Sequence, residues 1–146
     1  MKPPVERKRA DVNIGPVFSW QRPGNLGVTD GRLAPPKRTP NSVSSQADPA
    51  DVEHFIAPIP FRGATAAAMA AVRKAVEGMP GATLIRSEGS YLYAEFRTKI
   101  LRFVDDVEFL FDEKAGLIHV RSASRLGRRD FGVNRARVEA LRARIR

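Results

Sequence analysis

The chain contains no cysteine and only two histidines, His54 and His119, in 146 residues. That excludes disulfides, thiolate metal sites and cysteine nucleophiles, and it rules out a metal centre built mainly from histidine. The segments that follow the charged, proline-bearing start MKPPVERKRA lack any apolar run of the roughly 20 residues that a membrane span requires. On this reading the expected setting is the cytoplasm, without a spanning helix. Motifs for common chemistries are also missing: there is no phosphate loop, no GxSxG elbow and no HExxH pair. Proline is scarce too, outside one region. Ten of the eleven prolines fall within the first 60 residues, at 3, 4, 16, 23, 35, 36, 40, 49, 58 and 60.

What is present suits one soluble globular domain, with 42% hydrophobic and 28% charged residues. Residues 1–62 read as an extended arm rich in proline and glycine, with little regular structure expected. The arm carries apolar groups all the same: VFSWQRPGNLGV includes Phe18 and Trp20, which gain free energy when covered and are candidate contacts to the domain or to a partner. Residues 63–146 read as the core domain. GATAAAMAAVRKAVEGMPG spaces Met69, Val72 and Val76 as a helix does, with Thr65 as a possible cap and Gly78 and Pro80 as the stop. Strands are expected at 82–88, 90–98, 103–111 and 117–124, then a helix with Asn134 as its cap and Val138, Leu141 and Ile145 inward. The expected fold is α+β: a four-stranded antiparallel sheet in the order α-β-β-β-β-α, with two helices on one face.

The stretch FVDDVEFLF sets three carboxylates inside a buried-looking strand. Side chains alternate across a strand, so Asp105 shares a face with Val107, Phe109 and Phe111, while Asp106 and Glu108 share the other. Matching apolar sets in the next strand then places 106 or 108 opposite 119 or 121, since a slip of one residue would turn phenylalanines to water. Tyr93, Glu95, Asp106, Glu108, His119 and Arg121 are expected to form a polar, flat lattice on the second face. Asp105 is the odd member. Turned inward, it needs a cation or backbone donors, for which Arg102, Arg125, Arg135 and the 122–127 loop are the candidates.

A second polar cluster, RSASRLGRRDFGVNR, gathers Arg121, Ser122, Ser124, Arg125, Asp130, Asn134 and Arg135 near the start of the last helix. It could receive an anion there or simply staple the joint. The last 22 residues hold eight arginines against Asp130 and Glu139, so two thirds of the net charge of +9 sits there. A basic end of this kind suits nucleic acid, another polyanion or a solvated helix face. Carboxylates interleaved with Tyr91 and Tyr93 argue against a stacking sheet for RNA.

LGVTDGRLAPPKRTPNSVSSQ, FVDDVEF and RSASRLGRRDFGVNRARVEALR together resemble the bacterial and plastid family known as domain of unknown function 1499. The resemblance begins near residue 26 and runs through most of the chain. It implies Gly31, Leu33, Pro40, Asn41, Ser44, Ser45, Asp105, Asp106, Glu108, Arg121, Ser122, Ser124, Arg125, Gly127, Asp130, Asn134 and Arg135 as the motif residues, and it lends no catalytic assignment. The family pattern often has a cysteine where Ser42 stands, so no thiol role carries over to this chain. The arm's Asn41 to Ser45 loop is expected to pack on Asp105, Arg121 and Arg125 and close one end of the sheet.

The functional expectation is a binding or assembly module without cofactor or metal, taking a protein partner or a small apolar ligand. Sheets gripping a C-terminal helix also build ligand cups, which predicts a closed apolar pocket of several hundred Å³ beneath that helix. Polyanion binding through the arginine-rich helix is the alternative. A hydrolase using Asp105, Asp106 or Glu108 has least support, because Asp105 and Asp106 point to opposite sides and no cleft is implied.

Overall fold

The computed structural model describes residues 21–99 and 102–145. Phe18 and Trp20, the candidate partner contacts, lie outside the described residues. In chain order the elements are β1 (Ser42–Ser44), β2 (Ile59–Pro60), α1 (Thr65–Glu77), β3 (Ala82–Glu88), β4 (Tyr91–Arg97), β5 (Val104–Asp112), β6 (Leu117–Ser124) and α2 (Val133–Arg144).

The fold is α+β with an antiparallel sheet, but the sheet has six strands rather than four. Its order is β1-β6-β5-β4-β3, and β2 also pairs with β6. The two extra strands come from the proline-rich region, where three and two residues suffice to satisfy the outer edge of β6. Ser42 faces Ala123, Val43 faces Ser122 and Ser44 faces Arg121, while Ile59 faces Ile118.

One face of the sheet carries the main core. Leu92, Ala94 and Phe96 of β4, Val107, Phe109 and Phe111 of β5, and Ile118 and Val120 of β6 pack with Ala68, Val72, Ala75 and Val76 of α1 and with Val138 and Leu141 of α2. The alanines let α1 lie close to the strands. Thr65 does not cap this helix: Ala64 holds the cap position without a side-chain bond, and the Thr65 hydroxyl is buried with no partner. Asn134 likewise sits inside α2 rather than at its cap. Gly132, in the left-handed region at φ 79°, takes that position, and Asp130 accepts from the Gly132 and Asn134 amides at 2.9 and 3.0 Å.

The second face is where expectation and structure part most clearly. Residues 26–34 lie across it, and Val28 and Leu33 form a smaller apolar cluster with Tyr91, Tyr93 and Leu110. Asp106, Glu108 and Arg121 are therefore buried, not screened by water on an open ladder.

Candidate functional site

The register pairs Glu108 with Arg121, Glu95 with Asp106 and Tyr93 with Glu108, as strand alternation requires. Because the arm covers this layer, each ionised group must be paired or carry a large desolvation cost. Arg125 supplies the main pairing. Its Nε donates to Asp106 Oδ2 and its Nη2 to Asp106 Oδ1, both at 2.8 Å, and Nη2 also reaches Glu95 Oε2 at 2.5 Å. The Tyr93 hydroxyl lies 2.5 Å from Asp106 Oδ1 and 2.7 Å from Glu95 Oε2, and Arg22 of the arm donates to Glu95 at 2.7 Å. Burial raises the Glu95 pKa, but bonds from Arg22, Tyr93 and Arg125 overcome it and hold the carboxyl at about 2.

Glu108 is fully buried and differs from its neighbours. Its Oε2 accepts from Tyr91 at 2.6 Å and from the Gly27 amide at 2.7 Å, whereas Oε1 has no hydrogen-bond donor and lies 3.7 Å from Arg121 Nη1. Burial pushes its pKa up, against the opposing pull of Tyr91, Arg121 and Gly27. Both tyrosines are pushed up as well, by burial and by the carboxylates they serve. This layer clamps the arm to the sheet.

Asp105 points to the helix side. Its partner is Arg137, at 2.6 Å from Oδ2, not Arg102, Arg125 or Arg135. Arg137 also stacks over the Phe96 ring at 4.9 Å and donates to Asn134 Oδ1 at 2.8 Å. Asn134 is the hub of this region. Its Oδ1 accepts from Ser122 at 2.7 Å, and its Nδ2 lies within reach of Asp130, Ser124 and the Asn41 carbonyl at 2.8, 2.9 and 3.2 Å. Asn41 in turn donates to the Gly127 carbonyl at 2.7 Å. The Ser45 hydroxyl accepts from the Val120 amide at 2.8 Å, and the Ser44 hydroxyl accepts from the Gln46 amide at 3.1 Å. Asn41, Ser122, Ser124, Asp130 and Asn134 thus meet in one network, while Arg121, Arg125, Asp106 and Glu108 belong to the opposite side of the sheet.

The arginine-rich end turns inward for the most part. Arg135 donates to the Val52, Glu53 and Phe55 carbonyls, Arg142 to those of Ala57 and Pro58, and Arg144 to that of Gly78. Arg137 is ion-paired with Asp105, so the described arginines of α2 each contact groups of the same chain. Asp51, Glu53 and His54 come within 4.8 Å of one another, but His54 Nδ1 is 2.8 Å from Asp51 and Nε2 is 3.0 Å from the Thr39 carbonyl. Both ring nitrogens are spent on fixing that turn.

Beneath α2, Val138 and Leu141 have no exposed surface, so among the described residues the helix packs directly on the core at these two positions. Two open hollows lie at the end of the sheet, beside the start of α2. One, of about 690 Å³, is bordered by Met79, Phe96, Arg97, Lys99 and Arg137. A second, of about 290 Å³, has Asp105 and Ser124 in its wall, and the two share Thr98 and Val133. Around the second stand four exposed apolar side chains, Phe103, Leu126, Phe131 and Val133. Phe131 is 94% exposed and held at φ 52°, a left-handed conformation that a bulky side chain rarely adopts. Asp130 braces the loop on one side of it and Gly132 turns the chain on the other. Sequence reasoning assigned none of these four residues, although a lone Phe in RRDFG is apolar where a loop should be polar.

Fold and site together define a small α+β domain whose sheet is covered by two helices on one side and by its own N-terminal segment on the other, with a presented apolar edge at one end. A family model described as "Protein of unknown function (DUF1499)" matches residues 32–145, and the chain belongs to that family. Comparisons with curated proteins and with solved structures found no match.

Proposed function

We propose that this protein is a non-catalytic binding module whose contact surface is the end of the sheet between the β4–β5 and β6–α2 loops. The observation that carries this reading is the cluster of Phe103, Leu126, Phe131 and Val133, exposed together around one hollow. Apolar groups scattered singly on a surface need no explanation, whereas a contiguous group beside a hollow marks a contact site. The carboxylates support the non-catalytic part. Asp105 is bound to Arg137, Asp106 to Arg125 and Glu108 to Tyr91, and the sheet lies between the first and the other two.

An apolar anionic dye such as anilinonaphthalene sulfonate reads this surface directly. Phe131→Asp should weaken dye binding at least about tenfold, because covering a phenylalanine contributes roughly 1.5–3 kcal/mol. Its thermal midpoint should stay put, since an exposed side chain supports nothing else. Unchanged dye affinity in a folded Phe131→Asp protein contradicts the proposed surface.

A further inference from the structure

We infer that the occupant of this surface is an anionic lipid bilayer, met edge-on by the two loops. The inference rests on the binding-module reading and names its partner. No helix among the described residues is long and apolar enough to cross a membrane, so the contact would be peripheral.

Two observations point the same way. First, the apolar groups protrude. Phe131 stands on a turn whose backbone is bent into the left-handed region at both Phe131 and Gly132, so the ring is thrust outward by the chain itself. Such a conformation is costly for phenylalanine and persists because Asp130 pins the flanking amides. A projecting ring with Leu126 and Val133 behind it fits a soft, deformable phase that closes around it. A rigid partner would need a matching pocket.

Second, the exposed charges beside these groups have one sign, the half-buried Asp130 apart. Arg97, Lys99 and Arg102 on the β4–β5 side and Arg128 and Arg129 on the β6–α2 side are exposed, and none is paired with a carboxylate among the described residues. The carboxylates nearby are committed elsewhere: Asp105 to Arg137, Glu95 to Arg22 and Arg125, and Asp130 to the α2 amides. The contrast with α2 is instructive, because there the arginines are turned onto carbonyls and acids of the same chain. Five exposed cations without a carboxylate partner among the described residues, set around an apolar tip, match a surface that is negative at headgroup level and hydrocarbon below.

The exposed Leu126 and Val133 beside the rings suit hydrocarbon rather than stacked bases.

The test is flotation with vesicles of phosphatidylcholine mixed with phosphatidylglycerol, against pure phosphatidylcholine, at low and high salt. The native chain should float with the mixed vesicles and far less with the neutral ones, and salt should weaken the association. Each basic residue near an anionic surface is expected to contribute about fivefold in partition. Arg128→Glu with Arg129→Glu should therefore lower it by more than about twentyfold, and Phe131→Asp should lower it about tenfold or more. Phe131→Leu should restore most of it. Failure of the native protein to float with anionic vesicles while it still binds dye through Phe131 overturns the bilayer and leaves the binding surface standing. Loss of both, with Phe131→Asp indistinguishable from native in each assay, overturns both. A native dimer that Phe131→Asp converts to monomers would assign the patch to a second copy of the chain, and the bilayer falls.

Discussion

Replacing Arg125 with methionine should lower the unfolding free energy by roughly 3–5 kcal/mol at neutral pH, measured by urea denaturation. The guanidinium sits between two carboxylates, making a two-pronged contact to Asp106 and a short one to Glu95. Methionine fills much of the volume but leaves the buried Asp106 carboxyl with the Tyr93 hydroxyl as its side-chain donor among the described residues. The penalty comes from the buried carboxyls left without their cation more than from the worth of the original pairs. Acid should shrink it. Glu95 has a folded pKa of about 2, below its ordinary 4.5, so its contribution is present above pH 4.5 and fades as pH falls through about 2. Native and variant stabilities should therefore converge across that window. A variant equally destabilised at pH 7 and pH 3, or not destabilised at all, would argue against a clamped ion pair.

The second large effect belongs to the helix side. Asn134→Ala should cost roughly 2–4 kcal/mol and lower the thermal midpoint by about 5–15 °C. Asn134 has no exposed surface, and its amide is the point where α2, the end of β6 and the arm's Asn41 carbonyl join. Alanine would remove the acceptor of the buried Ser122 hydroxyl and one of the partners of Arg137 Nη1 and of the Asn41 carbonyl, which keep the Ser122 hydroxyl and the Ser124 amide respectively. Arg128→Ala, at an exposed position a few residues away, should change stability by less than about 0.5 kcal/mol. Equal effects at the two positions would contradict the hub.

Much of this fold was legible from alternation alone. The strands from Ala82 to Ser124 lie within a residue or so of expectation, and the inward turn of Asp105 follows from its parity with Val107 and Phe109. The partner of Asp105 was legible in principle. Asn134, Arg137, Val138 and Leu141 fall at helical spacings that define the buried side of α2, so a cation in that row had to find an inward carboxylate. The arm was harder to read. Strands of two and three residues show no period, and SVS looks like loop until its neighbours are known to pair with β6. Nor could spacing reveal that the second face is covered, because Val28 and Leu33 are too sparse to signal a layer. That covering is what turns a solvated ladder into a buried one. The presented edge was least legible. Exposure of Phe131 depends on a backbone turn, not on any pattern of residues.

Two roles are interleaved in the sequence: a polar interior that holds the arm, and an exposed apolar edge proposed as the contact surface. Side-by-side measurement of thermal midpoint and dye affinity for Tyr93→Phe and Phe131→Asp tests this directly. Tyr93→Phe should lower the midpoint, because Asp106 and Glu95 lose a shared donor, and should leave dye binding as in the native chain. Phe131→Asp should do the reverse. Loss of binding in Tyr93→Phe at unchanged stability would place the working surface in the acidic layer and contradict the assignment.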